Sequence, residues 1–183
     1  GTDLIVSDTA GNTIGVAGLD PGDYSGSGTS EVRIKLTATG WTGGFLVDTL
    51  AGNDTVLVEG VDFLRSAKLS LATGAGSDTV TFQLAATNTR GGDLSVTADQ
   101  ITVDAAVSTA GGGTSLWATG AVTFHAMLDT AGGPLTVHAD SNGDGTGLFS
   151  LVNCAGGVPE EAVLRPSDAQ AGDVFGHSVS VSG

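Results

Sequence analysis

Leu94-Ser95-Val96-Thr97-Ala98-Asp99 returns further along the chain as Leu135-Thr136-Val137-His138-Ala139-Asp140, changed only by exchanges of one polar residue for another. Each copy follows a glycine pair by one residue, and each alternates apolar with polar side chains. Alternation of period two is the mark of a strand with one buried and one wet face. The pair itself recurs at Gly43-Gly44, Gly91-Gly92, Gly111-Gly112, Gly132-Gly133 and Gly156-Gly157, at intervals of 48, 20, 21 and 24 residues. The long interval is two steps of 24, with Ala67-Lys68 standing where a pair is missing.

Leu69-Ser70-Leu71 and Leu116-Trp117-Ala118 are looser copies of the same strand. A second strand follows in each unit: Val56-Leu57-Val58-Glu59, Val80-Thr81-Phe82-Gln83, Ile101-Thr102-Val103-Asp104 and Val122-Thr123-Phe124-His125. Units of this size, with short strands and glycine corners, are the coils of a solenoid in which equivalent side chains stack in columns. The inward columns are expected to be Leu94, Leu116 and Leu135; Val96, Ala118 and Val137; and Val58, Phe82, Val103 and Phe124. An antiparallel sandwich also spaces short strands evenly. Repetition of the whole unit, corner included, favours the solenoid. The fold class is therefore all-β, a right-handed parallel β-helix with coils of about 20–24 residues and irregular ends.

Composition agrees. The 183 residues include 30 glycines, 40% are hydrophobic and only 14% are charged. Such a chain favours glycine turns and strands and still has material for a core. Outside the regular part, residues 1–31 hold Leu4-Ile5-Val6 and a Gly/Asp/Ser-rich loop. Coils occupy 32–157, opening with Val32-Arg33-Ile34-Lys35-Leu36. Residues 158–183 comprise an irregular linker, with Pro159 and Pro166, and a final strand.

Charge bounds the partners. Twenty acidic against six basic residues give −14, which repels nucleic-acid phosphate and anionic lipid. No stretch is long enough to insert in a membrane. A single cysteine, Cys154, excludes an internal disulfide and is expected to be buried. The chain opens at Gly1 without a leader, as expected of a mature or excised fragment. The expected location is extracellular, at a cell surface or in a matrix.

Three local resemblances add to this reading. The pattern Asp99-Gln100-Ile101-Thr102-Val103-Asp104-Ala105 before Ser108-Thr109-Ala110-Gly111-Gly112-Gly113 resembles the repeats of filamentous-haemagglutinin-type adhesins and of giant repetitive bacterial surface proteins. Over residues 40–155 that implies a right-handed β-helix and adhesion or matrix building. Gly52-Asn53-Asp54-Thr55-Val56 and Gly76-Ser77-Asp78-Thr79-Val80 are similar to single calcium-binding nonapeptides of RTX proteins. Their spacing of 24 residues does not suit that family's successive half-sites, so turn chemistry is the expected role. Ala171-Gly172-Asp173-Val174-Phe175-Gly176-His177-Ser178-Val179-Ser180-Val181-Ser182-Gly183 resembles the opening of an FG-GAP repeat, the blade unit of integrin-α-type propellers.

Among candidate sites, Asp140-Ser141-Asn142-Gly143-Asp144-Gly145 has oxygen ligands at alternate positions followed by glycine, the way a tight loop wraps a hard cation. Asp140, Asn142 and Asp144 are the candidate calcium ligands; an EF-hand would need an acid where Leu151 stands. The alternative is a plain Asx turn. Glu59, Gln83, Asp104 and His125 form one outward column, expected to be a solvated ladder rather than an acid–base pair. Arg33, Lys35, Arg65, Lys68, Arg90 and Arg165 are dispersed, unlike the clustered bases that acidic sugars require, so no enzyme activity is expected. Thr81, Thr102 and Thr123 stack outward but lack the second threonine column of a flat ice-binding face. Trp117 falls on the outward phase, level with Ser95 and Thr136. An aromatic there can stack on sugar rings; packing under a loop is the default.

The function expected is a structural or adhesive repeat module with a glycan or cell-surface ligand; the alternative is a polysaccharide-binding or polysaccharide-degrading β-helix. A homo-oligomeric, head-to-tail filament is expected as well. Solenoid ends expose strand edges, and the edge-forming residues would be Leu4, Ile5, Val6, Val174, Phe175, Val179 and Val181.

Overall fold

Leu94, Val96 and Ala98 are buried, while Ser95 and Thr97 between them face outward. That phase, repeated strand after strand, organises the molecule. The computed structural model describes residues 3–7, 21–35, 44–152 and 179–181, and within them every regular element is a strand.

β1 (Asp3–Ser7), β2 (Tyr24–Ser25) and β3 (Glu31–Lys35) form a separate antiparallel sheet in the order β1-β3-β2. Val32 and Ile34 of β3 are buried. The stretch expected to open the first coil is therefore in an antiparallel sheet, and among the described residues the parallel coils start at Gly44. Alternation specifies a one-sided strand but not the direction of its partner, and β3 has no glycine-pair corner beside it.

The coils follow. The first holds β4 (Gly44–Asp48) and β5 (Thr55–Val58); the second β6 (Lys68–Ala72), β7 (Thr79–Phe82) and β8 (Thr87–Asn88). The third holds β9 (Leu94–Ala98), β10 (Gln100–Val103) and β11 (Val107–Ser108); the fourth β12 (Thr114–Ala118), β13 (Val122–Phe124) and β14 (Leu128–Asp129). The fifth holds β15 (Leu135–His138) and β16 (Phe149–Leu151). About five turns stack as a parallel β-solenoid. The first face is β4-β6-β9-β12-β15, the second β5-β7-β10-β13-β16 and the third β8-β11-β14. A last strand, β17 (Val179–Val181), lies antiparallel on β15.

Inside, the side chains stack as columns. Val58, Phe82, Val103 and Phe124 are in register, all buried. Beside them run Val56, Val80, Ile101, Val122 and Phe149. Each fully buried apolar side chain of this size stabilises the fold by roughly 1.5–3 kcal/mol. On the first face the register differs from expectation by two residues in one coil. Leu94 stacks on Thr114 and Leu135, and Val96 on Leu116 and Val137. Leu116 is thus not the partner of Leu94, and Ala118 sits beside Ala98 rather than Val96.

The corner explains that difference. In Thr109-Ala110-Gly111-Gly112, Ala110 and Gly111 have φ of 48° and 99°, and Gly112 N–H donates to the Thr109 carbonyl at 3.0 Å. Positive φ at both central residues defines a type I′ turn, where glycine is the least strained choice. The Thr109 hydroxyl donates in turn to the Gly112 carbonyl at 2.6 Å. Gly112 is needed for a different reason: a Cβ there would stand 2.2 Å from the Gly92 carbonyl oxygen of the coil before. Thr89-Arg90-Gly91-Gly92 and Thr130-Ala131-Gly132-Gly133 repeat the turn. Because corner stacks on corner, each strand is counted from its glycines. Two residues on lie Leu94, Thr114 and Leu135, so Thr114 is drawn inward although Leu116 is the more apolar choice.

Candidate functional site

On the second face, Glu59, Gln83, Asp104 and His125 each follow the last inner residue of a strand, so parallel register brings them into one column. The Gln83 amide donates to Glu59 Oε1 at 3.2 Å. His125 Nδ1 lies 2.6 Å from Asp104 Oδ1, with both side chains 44% exposed. The carboxylate orients the imidazole, but the pair stands in solvent on an open sheet. Thr81, Thr102 and Thr123 form the neighbouring outward column.

At the corner entering this face, turn chemistry joins the coils. Asp78 accepts the Asp54 N–H at 2.8 Å, and Asp99 accepts the Asp78 N–H at 2.7 Å. Asn53 likewise accepts the Ser77 N–H at 3.0 Å. The Thr119 hydroxyl donates to the other oxygen of Asp99. The two glycine-led motifs therefore serve as corners: in the second, the Asp78 side chain ties down a backbone N–H of the preceding coil, and in the first, the Asn53 side chain holds one of the following coil. Asp99 takes the same role without a preceding glycine, so motif reading alone does not find it.

The Asp140 loop is an insertion, since the register step from Val122 to Phe149 exceeds that from Ile101 to Val122. Asp140 is 9% exposed, and both its carboxylate oxygens accept the Gly145 N–H, at 3.2 and 3.0 Å. Asn142 Nδ2 donates to Asp144 Oδ2 at 2.9 Å. Asp144 Oδ1 accepts from the Thr146 hydroxyl and N–H at 2.5 and 2.8 Å. The Thr146 bonds hold the Asp144 carboxyl below the usual aspartate range. The expected calcium ligands thus lie together in one loop and are already acceptors for its own donors, as in an Asx turn. Among the described residues, no three acidic, histidine or cysteine side chains group as a metal site.

The first face carries the arrangement that sequence reading missed. Trp117 is 41% exposed rather than packed under a loop. Its register neighbours are Thr97 and His138, not Ser95 and Thr136, because of the two-residue correction to β12. The Trp117 and His138 rings stack with centroids 3.8 Å apart and planes 12° from parallel. The indole N–H donates to Ser115 Oγ at 2.7 Å. Ser115 also lines a shallow groove of about 330 Å³, bounded by Lys68, Asp93, Ser95, Pro134 and Thr136. Counting from the glycine corner, and not from the leucines, was the signal that finds Trp117 beside His138.

Of the residues expected to form edges, Leu4, Ile5 and Val6 pair with Ile34, Arg33 and Val32 in the antiparallel sheet. Val179 and Val181 pair with Val137 and Leu135 of the same chain. Val174, Phe175 and Cys154 lie outside the described residues.

Comparison with known families finds a match to the FG-GAP repeat over residues 158–183. It begins earlier than the resemblance seen from Ala171 onward and takes in the stretch expected to be an irregular linker. No curated protein and no solved structure matches the chain.

Proposed function

We propose that this chain is an extracellular structural and adhesive module whose flat faces bind a surface ligand. The observation that carries this reading is the in-register stacking of outward polar side chains over successive coils, as in Ser70-Ser95-Ser115-Thr136 and Thr81-Thr102-Thr123-Ser150. Such columns repeat one chemical group at about 4.8 Å along the stack, which suits a repetitive ligand. The likeness of the coil pattern to filamentous-haemagglutinin-type adhesins supports the same reading. Beads coated with the protein should adhere to immobilised polysaccharide or to cells, and soluble protein should compete without turning the glycan over. Turnover that disappears in His125→Ala would replace adhesion by catalysis.

End-to-end assembly is the second part of the proposal. Among the described residues, no strand pairs with the outer edges of β4, β5 or β16, and Leu46, Leu57 and Leu151 are exposed there. Apolar edges of this kind invite strand addition by another copy. Electron microscopy should show filaments that the double change Leu57→Lys, Leu151→Lys abolishes while a folded monomer remains. Monomers in the unmodified protein would remove the idea.

A further inference from the structure

We propose that the first face binds a neutral saccharide chain, with one sugar ring stacked on Trp117 and its neighbours in the groove beside Ser115 and Ser95. This rests on the adhesive reading and gives it a ligand class.

The geometry begins with the ring stack. Side chains in register on adjacent coils are offset along the solenoid axis. Rings 3.8 Å apart and 12° from parallel across that offset must turn their faces along the axis. His138 therefore covers one face of the indole. The other face looks toward the third coil, where the same column holds Thr97 and then Ala72. Neither side chain is large enough to cover an indole face. The hydrogen bond from the indole N–H to Ser115 fixes the ring, so its orientation is set before a ligand arrives and less freedom is lost on binding.

The surroundings select the ligand. Ser95, Ser115 and Thr136 line the groove with hydroxyls, and Lys68 and Asp93 add a cation and an anion. Hydroxyls both donate and accept, matching a partner that is itself made of hydroxyls. At about 330 Å³ the groove is at the small end of ligand sites. Aromatic platforms also stack nucleic-acid bases, but a chain of net charge −14 repels phosphate and acidic sugars alike. What remains is an uncharged polyhydroxylated ring with an apolar face, a neutral hexose.

The test is affinity electrophoresis in native gels containing dextran, a soluble β-glucan or a galactomannan, with alginate and a single-stranded oligonucleotide as charged comparators. The protein should be retarded by at least one neutral polymer and by neither comparator. Trp117→Ala should weaken the retarding interaction about tenfold, the scale of one lost ring-stacking contact, and Trp117→Phe should keep most of it. Because Trp117 is exposed, both variants should melt with the unmodified protein. Ser95→Val, in the groove, gives an independent check and should also reduce retardation. No retardation by any neutral polymer, retardation by a charged comparator alone, or equal retardation of Trp117→Ala would overturn the site. Coated beads separate the two readings. Trp117→Ala beads that still adhere fully remove the site and leave adhesion standing, whereas unmodified beads that adhere to nothing remove adhesion itself.

Discussion

Thr114 occupies an inner position between Leu94 and Leu135, is 3% exposed, and has a hydroxyl with no hydrogen-bond partner. A buried polar group without a partner costs about 1–3 kcal/mol. Valine has nearly the same shape and replaces the hydroxyl by a methyl group. Thr114→Val is therefore expected to stabilise the protein by about 1–2 kcal/mol, raising Tm by roughly 2–8 °C for a chain of this length. Thr109→Val is the matched control. It is 0% exposed, but its hydroxyl bonds the Gly112 carbonyl at 2.6 Å, and losing that bond should cost about 1–2 kcal/mol. Urea unfolding followed by circular dichroism reads both, the midpoint moving in opposite directions at constant slope. A loss of stability in Thr114→Val would place that hydroxyl on a partner or on the wet face. The buried, unpartnered position assigned to the Thr114 hydroxyl would then be wrong.

Other outcomes follow from the same structure. Val103→Asp puts a carboxylate between Phe82 and Phe124 at a fully buried position, and should cost several kcal/mol and unfold the module; Thr102→Asp on the outward phase should cost less than about 1 kcal/mol, and equal effects by thermal melting would refute the assigned faces. Because the oxygens of Asp140 and Asp144 already have donors within their loop, melting temperatures in chelator and in millimolar calcium should agree; a rise with calcium would show that the loop reorganises around an ion. The Arg90 hydrogen bonds and charge hold the Asp62 carboxyl below its usual 3.8. A depressed carboxyl contributes stability above its unfolded pKa and loses it as pH falls through the folded one. Asp62→Asn should therefore slightly reduce stability at neutral pH and flatten its decline below about pH 4, and an unchanged acid limb in a pH series of urea titrations would contradict this.

Much of this architecture was legible because a solenoid writes its fold repeatedly. Leu94-Ser95-Val96 and Leu135-Thr136-Val137 show face, phase and corner together, and the columns through Val103 and Thr102 follow from counting. Reading failed where hydrophobicity and backbone geometry disagreed. Leu116 invites alignment with Leu94, but the close approach of Gly112 to Gly92 is a harder constraint than one leucine–threonine exchange. A slip of two residues keeps every side chain on its own face, so alternation gives no warning of it. Trp117 was misplaced by the same slip. The strand around Val32 and Ile34 was recognised as a strand, yet nothing local distinguishes an antiparallel partner from a parallel one. For the Asp140 loop the residues were found, but whether their oxygens turn to an ion or to Gly145 and Thr146 depends on backbone positions that spacing leaves open.

The antiparallel strand β17 bears on how such a stack can lengthen. A parallel coil presents to its successor the same pattern of donors and acceptors that it received from its predecessor, so copying a unit in the gene copies a compatible docking surface. β17 lies where the next coil of the first face would dock, and it runs the other way. An antiparallel ladder places its hydrogen bonds differently from a parallel one, so a further coil would meet β17 on this face through a ladder unlike the one that joins the coils, while the β16 edge on the second face is left to parallel pairing. Duplication of a coil is expected to be tolerated when inserted between β6 and β15 and rejected when appended after β17. A coil added within the stack meets parallel partners on both sides, whereas one added beyond β17 meets a ladder of another kind.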